Sequence, residues 1–276
     1  MFDVATAIIL DHFAYAHNPD AFSRRVPWYF AGKLAGSFHT DWLTLAQQHL
    51  GQDLTTDSLS AVQDLFQAIK AQVSRWQDEP FGFYLAGQDH AIGQVPRGAV
   101  PHLGLQAYGV HANGYVRKAD GLHMWVAKRA QDKMTFPGQW DNMVGGGLTA
   151  DYSPDEVLAK ETDEEAGLAI EQVRRVDFVG RLSYQHAHEG GLRNDCLFVY
   201  DLELPEDLVP TPKDGEVERF ECWPLATLID VIYTSDAFKY NCNLVVTEFL
   251  MRHGALDQHP KREQIQQALN ERFQPA

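Results

Sequence analysis

The chain is short of cysteine, of basic charge and of long apolar runs, and each shortage excludes something. Its three cysteines, Cys196, Cys222 and Cys242, show no Cys-x-x-Cys spacing. Cys196 and Cys222 sit in apolar, strand-like sequence, and Cys242 adjoins an expected buried helix. Such an odd set reads as reduced core thiols, not as a disulfide framework, and the expected compartment is reducing and cytoplasmic. Lysine and arginine total 23 against 38 aspartates and glutamates, a net charge of −15. That balance repels a polynucleotide backbone, so nucleic acid is not an expected partner; most of the charge serves solubility. No apolar run is long enough to span a bilayer, and no membrane association is expected. The opening MFDVATAIILDHF has acidic flanks and no basic region, unlike a signal peptide. Internal repeats and low-complexity tracts are absent as well.

What is present is a chain of 276 residues, 45% hydrophobic, enough for one large domain or two modest ones. Residues 1–105 read as an N-terminal accessory domain, a small α+β unit. It opens with a helix. Residues 27–38 form a hairpin turning near Gly32, residues 40–50 and 58–76 are helical, and residues 80–96 form a second hairpin turning at 87–89. Val62, Leu65, Phe66, Ile69 and Val73 share one helical face. His39, His49 and His90 are scattered and carry no constellation. Residues 106–276 read as the second domain with a helical tail. Strands are expected at 110–116 and 122–128, joined at Asp120-Gly121, and at 176–185, 195–204 and 216–223; helices are expected at 224–232 and 241–253, with Gly254 as a stop. The tail from residue 255 is polar with one short helical pattern that docks. Strands mixed with two major helices fit an α/β class, an α/β/α sandwich with a mixed sheet.

The densest signal lies at residues 145–168, GGGLTADYSPDEVLAKETDEEAGL. Ser153 suits an N-cap, Pro154 the first helical position and Glu156 the closing of a capping box, while Gly167 suits a helix stop. The helix between them runs about three turns. Glu161, Glu164 and Glu165 fall at i, i+3 and i+4, so three carboxylates share a face, with Leu158, Thr162 and Ala166 on the adjoining stripe. Carboxylates in a last turn oppose the helix dipole, and like charges at this spacing repel by roughly a few tenths of a kcal/mol per pair. A hard divalent cation turns that repulsion into attraction. A solvated acidic face is the competing reading of the spacing alone.

This segment resembles the Nudix box, Gly-x5-Glu-x7-Arg-Glu-aliphatic-x-Glu-Glu-x-Gly-aliphatic, with Gly146, Glu161, Glu164, Glu165, Gly167 and Leu168 on matching positions. Tyr152 stands at the first Glu, Lys160 at the Arg and Thr162 at the aliphatic residue. The Glu–Arg pair braces the loop, so the departures bear on loop architecture more than on metal binding. The likeness continues through residues 108–115, 125–129, 136–138, 140–142, 200–205, 214–218 and 252–254. There it is similar to the Nudix branch associated with thiamine pyrophosphokinase, and residues 1–105 are similar, more weakly, to that branch's accessory domain.

The resemblance implies a Nudix hydrolase that cleaves a diphosphate linkage with Mg²⁺, Mn²⁺ being a substitute. Thiamine diphosphate or its oxidised analogues, cut to the monophosphate and phosphate, are the implied substrates. Glu161, Glu164 and Glu165 with a carbonyl of Gly145 or Gly146 are the expected metal ligands. Glu164, Glu161 or the later Glu216 takes the proton of the attacking water, with Glu218 as a further candidate and a strand-opening turn as the competing reading for Glu216. Arg129, and less so Lys128, meets phosphate oxygens, an exposed strand end being the competing reading for both; His111 and Asn113 hydrogen-bond a ring, or Asn113 shapes a turn; and Trp125, Phe136 or Trp140 stacks on the ring or packs in the core. Another nucleoside-diphosphate-type substrate and a non-catalytic ligand-binding module are the alternatives. An isomerase of the same fold needs a cysteine before the box, and residues 1–190 contain none. The small-molecule diphosphate is the expected partner, and a homodimer is left open.

Overall fold

The computed structural model describes residues 10–15, 23–88, 90–188 and 191–276, with only the backbone of His188. Residues 10–15 are helical (α1). The first hairpin is β1 (Arg25–Phe30) against β2 (Lys33–His39), turning through Ala31 and Gly32, both at positive φ. Next come α2 (Leu43–Leu50), β3 (Thr55–Thr56), which pairs with β1, and α3 (Leu59–Lys70). Ser58 caps α3 by accepting from the Ala61 N–H at 3.2 Å. The helix ends at Lys70, short of Trp76, and buries Val62, Leu65, Phe66 and Ile69 as the spacing requires. The second hairpin is β4 (Pro80–Phe83) with β5 (Gly93–Pro96), leading to α4 (Ala99–Leu103); Asp89 of its expected turn lies outside the described residues. Trp28, Phe38, Leu65, Ile69, Phe83 and Leu103 form the centre of this core.

The second part is built on β6 (Gln106–Lys118) and β7 (Gly121–Arg129), both longer than their apolar centres suggest. β8 (Trp140–Asn142) pairs with β7 and β9 (Val144–Gly147) with β6, and then comes α5 (Pro154–Ala166). The long strands β10 (Arg175–His188) and β11 (Gly191–Glu203) follow, then β12 (Val217–Pro224), α6 (Leu225–Thr234), α7 (Tyr240–Arg252), α8 (Arg262–Asn270) and β13 (Phe273–Pro275). The main sheet runs β12-β7-β6-β11-β10-β13, with β6 and β11 parallel and the other neighbours antiparallel.

Side-chain alternation along the strands feeds two cores. Met124 and Val126 of β7 join Leu197 and Val199 of β11 under α6 and α7. Trp125 between them points the other way, with Val110, Tyr200 and Leu202, under α5. Helices on both faces of a mixed sheet give the expected α/β/α class, with additional N-terminal elements. α7 is buried all round from Asn241 to Met251, which is why its apolar pattern is not one-sided. Among the described residues, no helix is long and apolar enough to cross a membrane.

Two termini pack differently from expectation. Phe13 of α1 lies in the core under α6 and α7, and His12 Nε2 is 3.3 Å from the Ile232 carbonyl, so α1 packs with the second part of the chain. The tail helix α8 docks through Ile265 and Leu269, and the chain ends in β13, an edge strand on β10 that the polar sequence did not announce. Leu269 is 2% exposed, so Leu269→Ala leaves a cavity. It should cost about 2–5 kcal/mol in a urea titration, although the residue lies in a polar tail.

Candidate active site

The expected caps of α5 are all present. Ser153 Oγ accepts from the Glu156 N–H at 3.3 Å, and Glu156 Oε2 accepts from the Ser153 N–H at 2.8 Å. Gly167 closes the helix at φ +65°. Val157, Leu158, Thr162 and Ala166 are buried against the sheet. Thr162 tolerates that position because its hydroxyl donates to the Leu158 carbonyl at 2.6 Å.

This packing turns the acidic face toward β9. Glu165 is 7% exposed, and its Oε2 accepts from the Gly145 N–H at 2.9 Å. Burial pushes its carboxyl well above the usual range against that hydrogen bond, and the charges of Asp141, Glu161 and Glu216 push the same way. Glu161 is raised too, by burial first, while Lys160 opposes the shift. A Cβ on Gly146 would lie 2.4 Å from Glu161 Cγ, so only glycine lets the carboxylate lie against this strand. Glu164 is half-exposed and paired with Lys160, which also approaches Glu161 at 3.4 Å. Glu216 arrives from the turn before β12 and pairs with Lys133 at 2.5 Å. Glu161, Glu164, Glu165 and Glu216, with Gly145, Gly146 and Gly147, line one cavity of about 650 Å³. Glu218 is not among its lining residues and pairs with Arg219 at 2.7 Å.

The expected ligand-binding residues divide. His111, Arg129 and Phe136 line the cavity; Asn113, Trp125, Lys128 and Trp140 do not. Trp125 packs under α5, and Trp140 packs in the opposite core edge-on to Trp223, so neither forms a ring wall. Lys128 lies over the Trp140 ring at 4.7 Å. Asn113 lies mid-strand and fully buried rather than in a turn. Arg129 reaches the cavity already engaged: Nη1 donates to Asp141 at 2.8 Å, Nε to the Phe136 carbonyl at 3.2 Å and Nη2 to the Thr135 carbonyl at 3.0 Å. These bonds shape the loop and hold Phe136 at φ +52°, a costly conformation for a side chain of that size. Lining residues not singled out from sequence include Phe81 and Arg97 from the N-terminal part, and Tyr184, Arg193, Lys239 and Tyr240.

Residues 107–241 match the NUDIX domain family. The chain carries a Nudix domain. Over 160 residues it is 45% identical to Nudix hydrolase 20, chloroplastic, of Arabidopsis thaliana, an alignment covering 58% of this chain and 43% of that protein. It is 42% identical over 166 residues to Nudix hydrolase 24, chloroplastic, of the same plant, covering 60% and 46%. An uncharacterized Saccharomyces cerevisiae protein is 34% identical over 196 residues, covering 66% of this chain and 56% of that one. The chain thus spans about half the length of these relatives.

The Nudix box departs where its loop meets the helix, and the structure shows what stands there. Tyr152 is 48% exposed, and Lys160 turns to Glu161 and Glu164. Other bonds tie this end of α5 down: Tyr200 donates to Asp155 at 2.6 Å, and Gln94 of β5 donates to Asp151 at 2.8 Å.

Beneath the glycines of β9 lies a buried polar cluster. His111, Asp141 and Cys242 bring potential metal-ligating atoms within 4.8 Å of one another. Asp141 already has cations beside it: Arg129 at 2.8 Å and Lys239 at 3.5 Å. The Cys242 thiol donates to it at 2.7 Å, and burial pushes that thiol up. A protonated thiol and two nearby cations make this a poor cation site. Burial, helped by Lys239, lowers His111 to about 4, while Asp141 and Asn142 oppose the shift. A histidine lowered on folding stabilises the native state fully above its unfolded pKa. Below that the unfolded chain takes up the proton first, so stability is lost as pH falls from about 6.5 towards 4. Denaturant titrations should show stability falling as pH drops through that window. His111→Gln should flatten this part of the profile.

Proposed function

We propose that the protein is a divalent-metal-dependent Nudix hydrolase that cleaves a diphosphate linkage. The observation that carries this reading is the gathering of Glu161, Glu164, Glu165 and Glu216 along one cavity beside the β9 glycines. Two of these carboxyls are pushed up by burial and by neighbouring acids, and a lysine ammonium lies between two of them. Clustered carboxylates are hard oxygen donors that fit Mg²⁺ or Mn²⁺, and the half-exposed Lys160 side chain can leave Glu161 and Glu164 to such an ion. Glu161, Glu164 and Glu165, with the Gly146 carbonyl, would hold it. When bound, such an ion neutralises phosphate charge and makes water a better nucleophile.

The chain's own residues supply the rest. Glu161, Glu164 or Glu216 takes the proton of the attacking water. The Gly145 N–H holds Glu165 in place, and Arg129 holds the loop that carries Phe136 into the cavity. Lys133 and Lys239 place ammonium groups on the lining, where phosphate oxygens need them. Thiamine diphosphate and its oxidised analogues, cut to monophosphate and phosphate, are the substrates that the flanking motifs suggest. Other ring-bearing diphosphates are the second choice.

A phosphate-release screen in Mg²⁺ over thiamine diphosphate, its oxidised analogues, nucleoside diphosphate sugars and dinucleotides is the direct test. Turnover should vanish in chelator. Glu164→Gln should lower kcat by orders of magnitude with an unchanged melting profile, since the residue is half-exposed. Near-normal turnover in that variant would remove Glu164 from the mechanism. A kcat/KM far higher for nucleoside diphosphate derivatives than for every thiamine compound would refute the thiamine assignment and leave the hydrolase.

A further inference from the structure

A second chamber of about 450 Å³ lies against the first, and the two share Gln77, Arg97, Met134, Thr135, Phe136 and Arg193 in their walls. Its outer wall belongs to the N-terminal part of the chain: Arg75 and Trp76 from the segment after α3, and His102 of α4. The chemistry changes along the joined space. The metal end gathers Glu161, Glu164, Glu165 and Glu216, with Lys133, Lys160 and Lys239 also on its lining. Among the described residues the second chamber has no aspartate or glutamate in its lining and has three arginines, Arg75, Arg97 and Arg193, each with partners of its own, in a chain whose net charge is −15. Arg97 is paired at 2.7 Å with Glu79, which lines the first cavity, so the chamber is donor-rich rather than simply cationic. Two flat aromatic side chains, Trp76 and Phe136, share its lining.

The N-terminal part is also seated firmly on the metal end. Phe81 of β4 is 5% exposed, and a Cβ on Gly147 would lie 2.5 Å from its ring. The Arg97 guanidinium sits 5.2 Å from the same ring. Arg97 of the shared wall is therefore tied through Phe81 to the β9 glycines.

We propose that this chamber receives the non-transferred end of the diphosphate substrate, and that this end is a planar ring bearing hydrogen-bond acceptors. Aromatic faces stack on a ring of any sequence of atoms, and guanidinium forks donate to its acceptors. Trp76 then takes the stacking role that Trp125 and Trp140 cannot fill from the core. The N-terminal part becomes a specificity element of the active site. The proposal rests on the hydrolase reading for the placement of the diphosphate, but its binding test does not need turnover.

The test uses the full chain carrying Glu164→Gln, with Mg²⁺, and calorimetric titration of three probes: thiamine diphosphate, ADP and methyl diphosphate, which lacks a ring. At least one ring-bearing probe should bind tenfold or more tighter than methyl diphosphate. Trp76→Ala should erase that advantage and leave methyl diphosphate affinity within twofold. Arg75→Ala, at an exposed position, should reduce the advantage severalfold and serves if Trp76→Ala folds poorly. Equal affinity for all three probes, or no binding of any, overturns the chamber; so does an advantage that survives in folded Trp76→Ala, or in Arg75→Ala where Trp76→Ala does not fold. Ring-selective binding with no Mg²⁺-dependent turnover of any diphosphate by the unmutated chain sinks the hydrolase reading instead and leaves the chamber standing.

Discussion

The buried carboxylate of Asp141 is the constraint on which the site depends. An ionised acid in a protein interior is tolerated only when it is paired and hydrogen-bonded. Asp141 accepts from Arg129, from the Cys242 thiol and from the Asn142 N–H, with Lys239 nearby, and its carboxyl is held below the usual range despite burial. Each partner comes from a different place: β7, α7, the next residue of β8, and the residue that opens α7. From Asn142 the bonding continues to His111 and Asn113 of β6, then to Asp201 of β11 and on to Arg252 and Glu248 of α7. One polar chain thus crosses the sheet and fixes β8, and β9 with its glycines follows after a single residue.

That fixity explains how an altered Nudix box keeps its shape. The loop before α5 lacks the acid expected at Tyr152, and Lys160 pairs with Glu161 and Glu164 instead. The loop is instead held from both sides, by Tyr200 through Asp155 and by Gln94 through Asp151. Exposed pairs such as Lys160–Glu164 contribute little stability, roughly 0–1 kcal/mol. The burden of positioning therefore falls on the capping box, the buried stripe of α5 and the Glu165–Gly145 bond. Lys160 is better understood as local charge compensation for three acids on one helical face.

Local features were open to reading from the sequence. Caps, hairpin turns and helical stripes depend on residues a few positions apart, and Ser153, Gly167 and the Val62–Ile69 face fall where their chemistry requires; the β6–β7 hairpin turns at Ala119-Asp120, one residue before the expected Asp120-Gly121, and Gly121 opens β7 at φ +128°. Facing was less accessible. In a strand covered on both sides, an apolar run does not say which neighbour looks into a core and which into a cleft. Trp125, Trp140 and Asn113 are such positions. Arg129 shows a further limit: a cation after an apolar strand suggests a phosphate contact, but its partners are Asp141 of the short strand β8 and the Thr135 and Phe136 carbonyls of the loop before it, whose course the sequence does not state. β13 and α1 depend on contacts with residues far along the chain, Leu182 and Ile232 among them.

The N-terminal part illustrates the same physics at larger scale. Nothing in residues 23–105 reads as catalytic, because the histidines, acids and bases there are scattered and form no constellation in the sequence. Their meaning comes from where Phe81, Glu79 and Arg97 arrive, beside the glycines of β9 and the loop of Phe136. Gly147 records this contact from the other side, since a methyl group there would collide with Phe81. Under the proposed reading, the box acids at one end of the joined cavities, with Arg97 and Arg193 in the shared wall and Arg75 beyond it, favour one direction for a bound molecule. A diphosphate is drawn to whichever end holds metal, and an uncharged or acceptor-rich remainder can lie along the arginines without opposing them. Residues of both parts of the chain line the first cavity, so under the proposed reading the N-terminal part and the Nudix domain are two walls of one site.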